Sequence, residues 1–266
     1  MGAMLEEESK VGPCRVVRPL GKGGWKTCVI GVVVGAAAII GALIVFAHCN
    51  GVTLAELGAD AVATRASRHT SADRAAAILA KKPNLKDVAK SAGGKLRILV
   101  FKNERMVELH ASGWKEPRKY PMTAFSGTLG PKLREGDGQI PEGVYGIEYL
   151  NPNSSFYLSL KVSYPNASEK ARAKKDGRTK LGGDIMIHGS NVTIGCIPIG
   201  DDAIEEVFYL AYAIGIKNVS VVIAPYDMRK GRKPELEKSS LSWYPDLCKE
   251  ISAALPVGNS HKPLSR

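Results

Sequence analysis

The sequence predicts a mainly β domain preceded by one N-terminal transmembrane helix. An uninterrupted apolar run, CVIGVVVGAAAIIGALIVFA, fills residues 28–47. From Lys95 onward, short segments with alternating side chains are separated by Gly and Pro, and few helical segments lie among them. Many short strands with few helices indicate a mainly β domain, here of about 150 residues.

The apolar run is long enough to cross a bilayer. At about 1.5 Å per helical residue it spans about 30 Å, the thickness of the hydrocarbon core. It also exceeds the apolar region of about 7–15 residues that is typical of a cleaved signal peptide. Small residues at Val45 and Ala47 leave cleavage before His48 as the alternative. We therefore predict an uncleaved signal anchor over residues 28–49.

Basic residues set the predicted orientation of this anchor. Several precede the run, whereas residues 48–62 contain no Lys or Arg. The positive-inside rule then places residues 1–27 in the cytoplasm and the rest of the chain outside. In a bacterium with two membranes, the predicted location is the inner membrane, crossed once, with the folded domain in the periplasm. The basic residues before the run are Lys10, Arg15, Arg18, Lys22 and Lys26.

The outer part divides into three predicted segments. Residues 50–94, rich in Ala, Arg and Lys, have apolar residues at loosely helical spacing and predict a helical stalk or lid. Residues 95–228 carry the β pattern, beginning with a hairpin of KLRILVFK and RMVELHAS. Within them, DDAIEEVFYLAYAIG predicts an amphipathic helix from Asp201, with Gly215 at its C-cap. Residues 229–266 predict a C-terminal helix and tail.

Composition restricts the class of partner. The chain has 37 Lys and Arg against 26 Asp and Glu, a net charge of +11, which favours an anionic partner. A nucleic acid is not predicted, because no zinc-finger spacing, RNP-like strand or long basic helix is present. A basic protein kept soluble by its charge is the other interpretation. The five cysteines are an odd number with wide spacing, which matches neither a disulfide framework nor a zinc site.

The stretch IMIHGSNVTIGC places His188 and Cys196 eight positions apart, each beside a glycine. An imidazole beside a thiol can convert it to a nucleophilic thiolate, and the N–H groups of Gly195 and Cys196 could meet a developing oxyanion. Three other interpretations remain open from these residues alone. The cysteine could be buried and inert, the histidine could be merely hydrogen-bonded, or both could bind a metal with Asp184.

The surrounding motifs resemble the catalytic domain of the L,D-transpeptidases, the YkuD family. Three segments match in the right order over roughly residues 95–226: GTLGPKLREGDGQIPEGVYGIEYL, GGDIMIHGS and TIGCIPIGDDAIEEV. The resemblance implies a sandwich-like β core with flanking helices and a cysteine that acts on peptidoglycan stem peptides through a thioester. Such chemistry needs no metal and no organic cofactor. The matching residues are Gly130, Lys132, Gly136, Asp137, Gly138, Pro141, Gly143, Tyr145, Ile187, His188, Gly189, Gly195 and Cys196.

The resemblance also implies roles for individual residues. Cys196 would be the nucleophile and His188 the general base and acid. Gly195, Gly189 and Ser190 would contribute to oxyanion stabilisation or substrate binding, and no residue is expected to bind a metal. What orients His188 stays open between a backbone carbonyl and Asp184.

Two departures from the common family motif bear on the reaction. The motif usually reads S-H-G-C-I-R, whereas this chain has Ile194 in place of the second His and Pro198 in place of the Arg. Both features, with a short His-to-Cys spacing, resemble a subgroup associated in part with amide hydrolysis. We therefore predict an enzyme of the L,D-transpeptidase family acting on peptidoglycan. A hydrolase that cleaves cross-links or releases a wall-attached protein, and a non-catalytic wall-binding module, are the alternatives. The oligomeric state stays open.

Overall fold

The computed structural model describes residues 68–230 and 241–256. The predicted cytoplasmic tail, residues 1–27, and the predicted anchor, residues 28–49, lie outside the described part of the chain. Within that part, none of the helices combines the length and the apolar character that a membrane crossing requires.

Within the described residues, eight strands form one sheet, in the order β3-β2-β1-β8-β4-β5-β6-β7. The pairs β1–β8 and β6–β7 are parallel, and the other neighbours are antiparallel. The hairpin predicted from KLRILVFK and RMVELHAS is confirmed as β1 and β2. The strands are β1 (Leu96–Phe101), β2 (Met106–His110), β3 (Arg118–Pro121), β4 (Gly143–Ser154), β5 (Tyr157–Val162), β6 (Met186–His188), β7 (Ile197–Pro198) and β8 (Val219–Ala224).

The long strand β4 joins the two halves of the sheet. Its residues 143–146 pair with β8, and its residues from Ile147 onward pair with β5. Two register shifts interrupt the β4–β5 ladder, and such bulges bend a strand and increase its twist. The predicted mainly β fold with flanking helices is confirmed. The strands form one continuous curled sheet, however, where the sequence suggested the two sheets of a sandwich.

Five helices accompany the sheet in the described part of the chain. Capping boxes begin α1 and α3, where Thr70 with Asp73 and Asn166 with Glu169 satisfy the first backbone N–H groups. The helix predicted from Asp201 is confirmed as α4, and Gly215 lies at its C-cap. The helices are α1 (Ser71–Lys81), α2 (Leu85–Ser91), α3 (Ala167–Lys175), α4 (Asp201–Ile214) and α5 (Tyr244–Ala254).

Each face of β1 packs against a different helix, as its period-two pattern predicts. Ile98 and Val100 are fully buried in the main core with α4, whereas Leu99 and Phe101 lie in a second core under α5. The short helices α1 and α2 pack on α4 and contribute buried residues, among them Ile78, to the main core. Whether residues 50–94 act as a stalk or a lid stays a prediction.

Candidate active site

His188 ends strand β6, and Cys196 comes directly before the neighbouring strand β7. In the parallel β6–β7 pair, Ile187 aligns with Ile197 and His188 with Pro198, so Cys196 comes beside Met186. Ile187 and Ile197 are fully buried in the core. His188 belongs to the opposite face of β6 from Ile187, because side chains alternate along a strand. Cys196 lies diagonally across the pair from His188, whose own register partner is Pro198.

The two glycines of the motif allow close backbone packing around this pair. Gly195 has φ +122°, and a Cβ there would lie 3.1 Å from the carbonyl oxygen of Gln139. A Cβ on Gly189 would lie 2.5 Å from Asp201 Oδ1 and 2.9 Å from the carbonyl oxygen of Phe156. Real Cβ atoms do not approach this closely, so a side chain at Gly189 would displace the start of α4 or the β4–β5 turn.

The imidazole of His188 is 1% exposed and is held by a backbone carbonyl. Its Nδ1 lies 2.5 Å from the carbonyl oxygen of Gly189, to which it donates. This hydrogen bond leaves Nε2 as the acceptor of the neutral ring. The carbonyl group of Gly189 therefore orients the imidazole of His188. The carboxylate of Asp184, the other candidate for this role, pairs instead with Lys161 Nζ at 2.7 Å.

Burial makes His188 a neutral base. The ring of Phe156 lies against the imidazole with the ring centroids 4.8 Å apart. Burial lowers the pKa of His188 below its ordinary value, and the hydrogen bond to Gly189 opposes this shift only in part. The imidazole is therefore uncharged near neutral pH and can accept a proton.

Cys196 is a half-buried thiol in its resting state. Burial raises the pKa of Cys196, although a hydrogen bond from the Met186 backbone and the charge of Lys161 act in the other direction. Its Sγ lies 3.4 Å from the carbonyl oxygen of Asp184, to which it donates. Because its pKa is raised, the thiol is mostly protonated near neutral pH, so an attack by sulfur needs a base that removes the thiol proton.

The N–H groups predicted to stabilise an oxyanion are engaged by Thr193. Gly195 N–H and Cys196 N–H donate to Thr193 Oγ1 at 3.2 and 2.8 Å, and this hydroxyl donates to the Cys196 carbonyl at 2.8 Å. Both N–H groups become available to an oxyanion only if the Thr193 side chain rotates away. Sequence reasoning missed Thr193, although a hydroxyl residue shortly before a turn commonly hydrogen-bonds the following backbone.

Both backbone polar groups of Ser190 are hydrogen-bonded to side chains. Its φ is +63°, its N–H donates to Asp201 Oδ1 at 2.7 Å, and its carbonyl accepts from Thr123 Oγ1 at 2.8 Å.

An open groove of about 530 Å³ lies beside Ser190, between the β4–β5 turn and the start of α4. The residues that line this groove are Thr123, Ser155, Phe156, Tyr157, Ser190, Asn191, Gly200 and Asp201.

Two buried lysines act electrostatically on the thiol of Cys196. Lys132 Nζ pairs with Asp137 Oδ1 at 2.5 Å, and Asp137 also accepts the N–H groups of Leu133 and Arg134. This carboxylate therefore organises the loop of the GDG motif. Burial raises the pKa of Cys196, and the positive charges of Lys161 and Lys132 have a smaller effect that lowers it. Within residues 68–230 and 241–256, no cluster of three or more His, Cys, Asp or Glu could hold a metal ion.

Comparison with known proteins places this site in a family. The family model described as YkuD, L,D-transpeptidase catalytic domain, matches residues 95–223. This segment of the chain belongs to the YkuD family. The YkuD match contains both β6 and β7, and it leaves out α1, α2 and α5.

The similar proteins cover only part of the chain. YafK of Escherichia coli strain K12 is 33% identical over 144 residues. The match covers 51% of this chain and 56% of YafK, so it spans little more than half of either protein. The helical cell shape determining protein Pgp2 from Campylobacter jejuni is 23% identical, with a TM-score of 0.38, over 54% of this chain and 56% of Pgp2. Bd1075 of Bdellovibrio bacteriovorus is 20% identical, with a TM-score of 0.35, over 60% and 54% of the two chains.

Proposed function

We propose that this protein is a peptidoglycan-modifying enzyme that uses a Cys–His thioester mechanism on stem peptides. The observation that carries the proposal is the parallel pairing of β6, which ends at His188, with β7, which follows Cys196 directly, inside the YkuD match. The family assignment supplies the substrate class, and the pair supplies the chemistry.

The proposed reaction begins with proton transfer inside the pair. His188 Nε2 takes the proton from Cys196 Sγ, and sulfur attacks the carbonyl carbon of an amide that joins an L residue to a D residue. The C–N bond then breaks, and the imidazolium returns its proton to the leaving amine. The resulting thioester is resolved by water or by a second amine. No metal or organic cofactor takes part in these steps.

The net charge of the chain suits an anionic substrate. Lys132 and Lys161 are 8% and 7% exposed and act electrostatically on Cys196, but each is paired with a carboxylate, Lys132 with Asp137 and Lys161 with Asp184. The attraction of the carboxylates of peptidoglycan stems therefore rests on the net charge of +11. The carboxylate of Asp184, whose side chain is 89% exposed, pairs with Lys161 in the structure.

We expect water, and not a second amine, to resolve most of the thioester. Ile194 is 89% exposed and Pro198 is buried in β7, so neither position offers an acceptor a side-chain hydrogen bond. A charge-assisted hydrogen bond is worth about 1.5–3 kcal/mol, which is about ten- to a hundredfold in acceptor capture. Purified muropeptides incubated with the full-length protein and millimolar D-amino acid should yield mainly freed stem products by mass spectrometry. Predominant exchange or cross-linking would show transfer instead, and unchanged muropeptides would contradict the proposed function.

The proposal also includes a membrane anchor and a periplasmic site of action. We expect alkaline phosphatase fused after residue 60 to be active, because the basic flank before the apolar run favours a cytoplasmic N-terminus. The same fusion after residue 26, before the run, should be inactive and serves as the matched control. N-terminal sequencing of the mature protein should find the apolar run retained. A mature N-terminus at His48 would identify a cleaved signal peptide.

A further inference from the structure

The turn between β4 and β5 contacts His188, the proposed general base. Phe156 lies at this turn, and its ring contacts the His188 imidazole at a centroid distance of 4.8 Å. Phe156 is also 42% exposed, so one part of its ring covers His188 and another part lines the groove. Its neighbour Tyr157 has φ +72°, a conformation that non-glycine residues rarely adopt. A turn of this kind keeps its geometry only when surrounding contacts hold it.

The first of those contacts comes from the start of α1, which lies outside the YkuD match. The N–H of His69 donates to Asn153 Oδ1 at 3.0 Å, and Asn153 Nδ2 donates to the His69 carbonyl at 2.8 Å. Arg74 Nε donates to the carbonyl of Pro152 at 3.1 Å. The end of β4 is thus attached to α1 just before the chain reaches Phe156.

The second contact joins the end of α1 to the residue after Phe156. Glu205 on α4 is 6% exposed and pairs with Lys81 and Lys82, each at 3.1 Å. The hydroxyl of Tyr157 donates a short hydrogen bond to Glu205 Oε1. Burial raises the pKa of Glu205, but the hydrogen bonds from Tyr157 and the two lysines outweigh it and leave the pKa below its ordinary value. Glu205 is therefore a charged carboxylate whose burial depends on these partners.

We propose that α1 acts through Glu205 as a brace that positions Phe156 against His188, so that a segment outside the family match is part of the catalytic unit. Glu205 and Tyr157 are then positioning residues for the reaction, and the inference rests on the proposed function. The brace fixes both sides of the turn, through Asn153 before it and Tyr157 after it. With the turn fixed, the Phe156 ring excludes water from one face of the imidazole and limits its rotation.

A merely structural role for α1 predicts a different outcome. Ala75 and Ile78 of α1 are buried in the main core, so α1 contributes to stability whether or not it acts on the site. Loss of stability in a variant is therefore uninformative by itself. The informative quantity is the state of His188. If Phe156 moves away, water reaches the imidazole and the pKa of His188 rises toward its ordinary value.

The test uses the full-length protein in detergent with Glu205→Gln and Tyr157→Phe. Both substitutions keep the side-chain shape and weaken the link between α1 and the turn. The matched control is Glu250→Gln, which removes an ion pair between α5 and α3, Arg172 Nη2–Glu250 Oε2 at 2.8 Å, without touching the turn.

Two readouts separate this inference from the proposed function. The pKa of His188, followed by NMR of ring-labelled histidine and assigned with His188→Asn, should rise in Glu205→Gln and Tyr157→Phe and stay constant in the control. This measurement needs no peptidoglycan.

On muropeptides, kcat should fall about 10- to 100-fold in Glu205→Gln with a smaller change in KM. A loss of this size is expected when a catalytic group is misplaced by about 1 Å. An unchanged His188 titration in both variants would overturn the brace. A shifted titration in a protein without activity would leave the brace intact and count against the proposed function.

Discussion

Cys196→Ala should abolish the modification of peptidoglycan, with a loss on the order of 10⁴-fold or more, because the thioester cannot form without sulfur. The fold should survive. Cys196 is only half-buried, and removal of one small side-chain atom is expected to change the free energy of unfolding by about 1 kcal/mol. Mass spectrometry of muropeptide products and thermal unfolding of the same preparation measure the two quantities.

Cys248→Ala is the matched control for this prediction. Cys248 lies on α5, outside the residues of the YkuD match, and packs against the second core. Its removal should leave activity unchanged. Cys196→Ser should be as inactive as Cys196→Ala, since a serine hydroxyl is a far weaker nucleophile at the same position. Full activity in Cys196→Ala would exclude the thiol as nucleophile, and activity in neither the variant nor the unmodified protein would favour a wall-binding module.

The local patterns of the sequence were sufficient to predict much of the sheet. The alternation in LRILVF predicted two faces for β1, and the structure buries Ile98 and Leu99 in different cores. Strand β3 ends at Pro121, after which the chain is irregular. Proline has no N–H to donate to a sheet ladder, so it ends the pairing there.

Long-range contacts could not be predicted from those patterns. The strand β7 has two residues, too short to produce any alternation, yet its parallel pairing with β6 brings Cys196, the residue before β7, diagonally across from His188. The hydrogen bond between His69 and Asn153 joins residues 84 positions apart, and the one between Lys81 and Glu205 joins residues 124 apart. No local sequence pattern indicates such pairs, so the contacts between α1 and the site can be identified only in the folded chain.

His188→Asn should reduce kcat by about 10²- to 10⁴-fold, the usual contribution of a general base. Asparagine can still donate to the Gly189 carbonyl from the position of Nδ1, so the variant retains the hydrogen bond at 2.5 Å and loses only the base. His110→Asn is the matched control, because His110 pairs with Glu108 on β2 and lies on a different strand pair. It should retain full activity. Comparable losses in both variants would point to a general effect on folding.

The pH dependence tests the same base in the unmodified protein. An imidazolium cannot accept the thiol proton, so activity must fall as the pH drops through the pKa of His188. Burial lowers this pKa, and therefore the acid limb of kcat/KM should lie below the ordinary imidazole value of 6.5. Because the pKa of the Cys196 thiol is raised, unassisted alkylation of Cys196 by iodoacetamide should accelerate only at pH values above the usual thiol range. An acid limb above 6.5, together with rapid alkylation at neutral pH, would indicate a preformed thiolate–imidazolium pair and contradict general-base activation by a neutral His188.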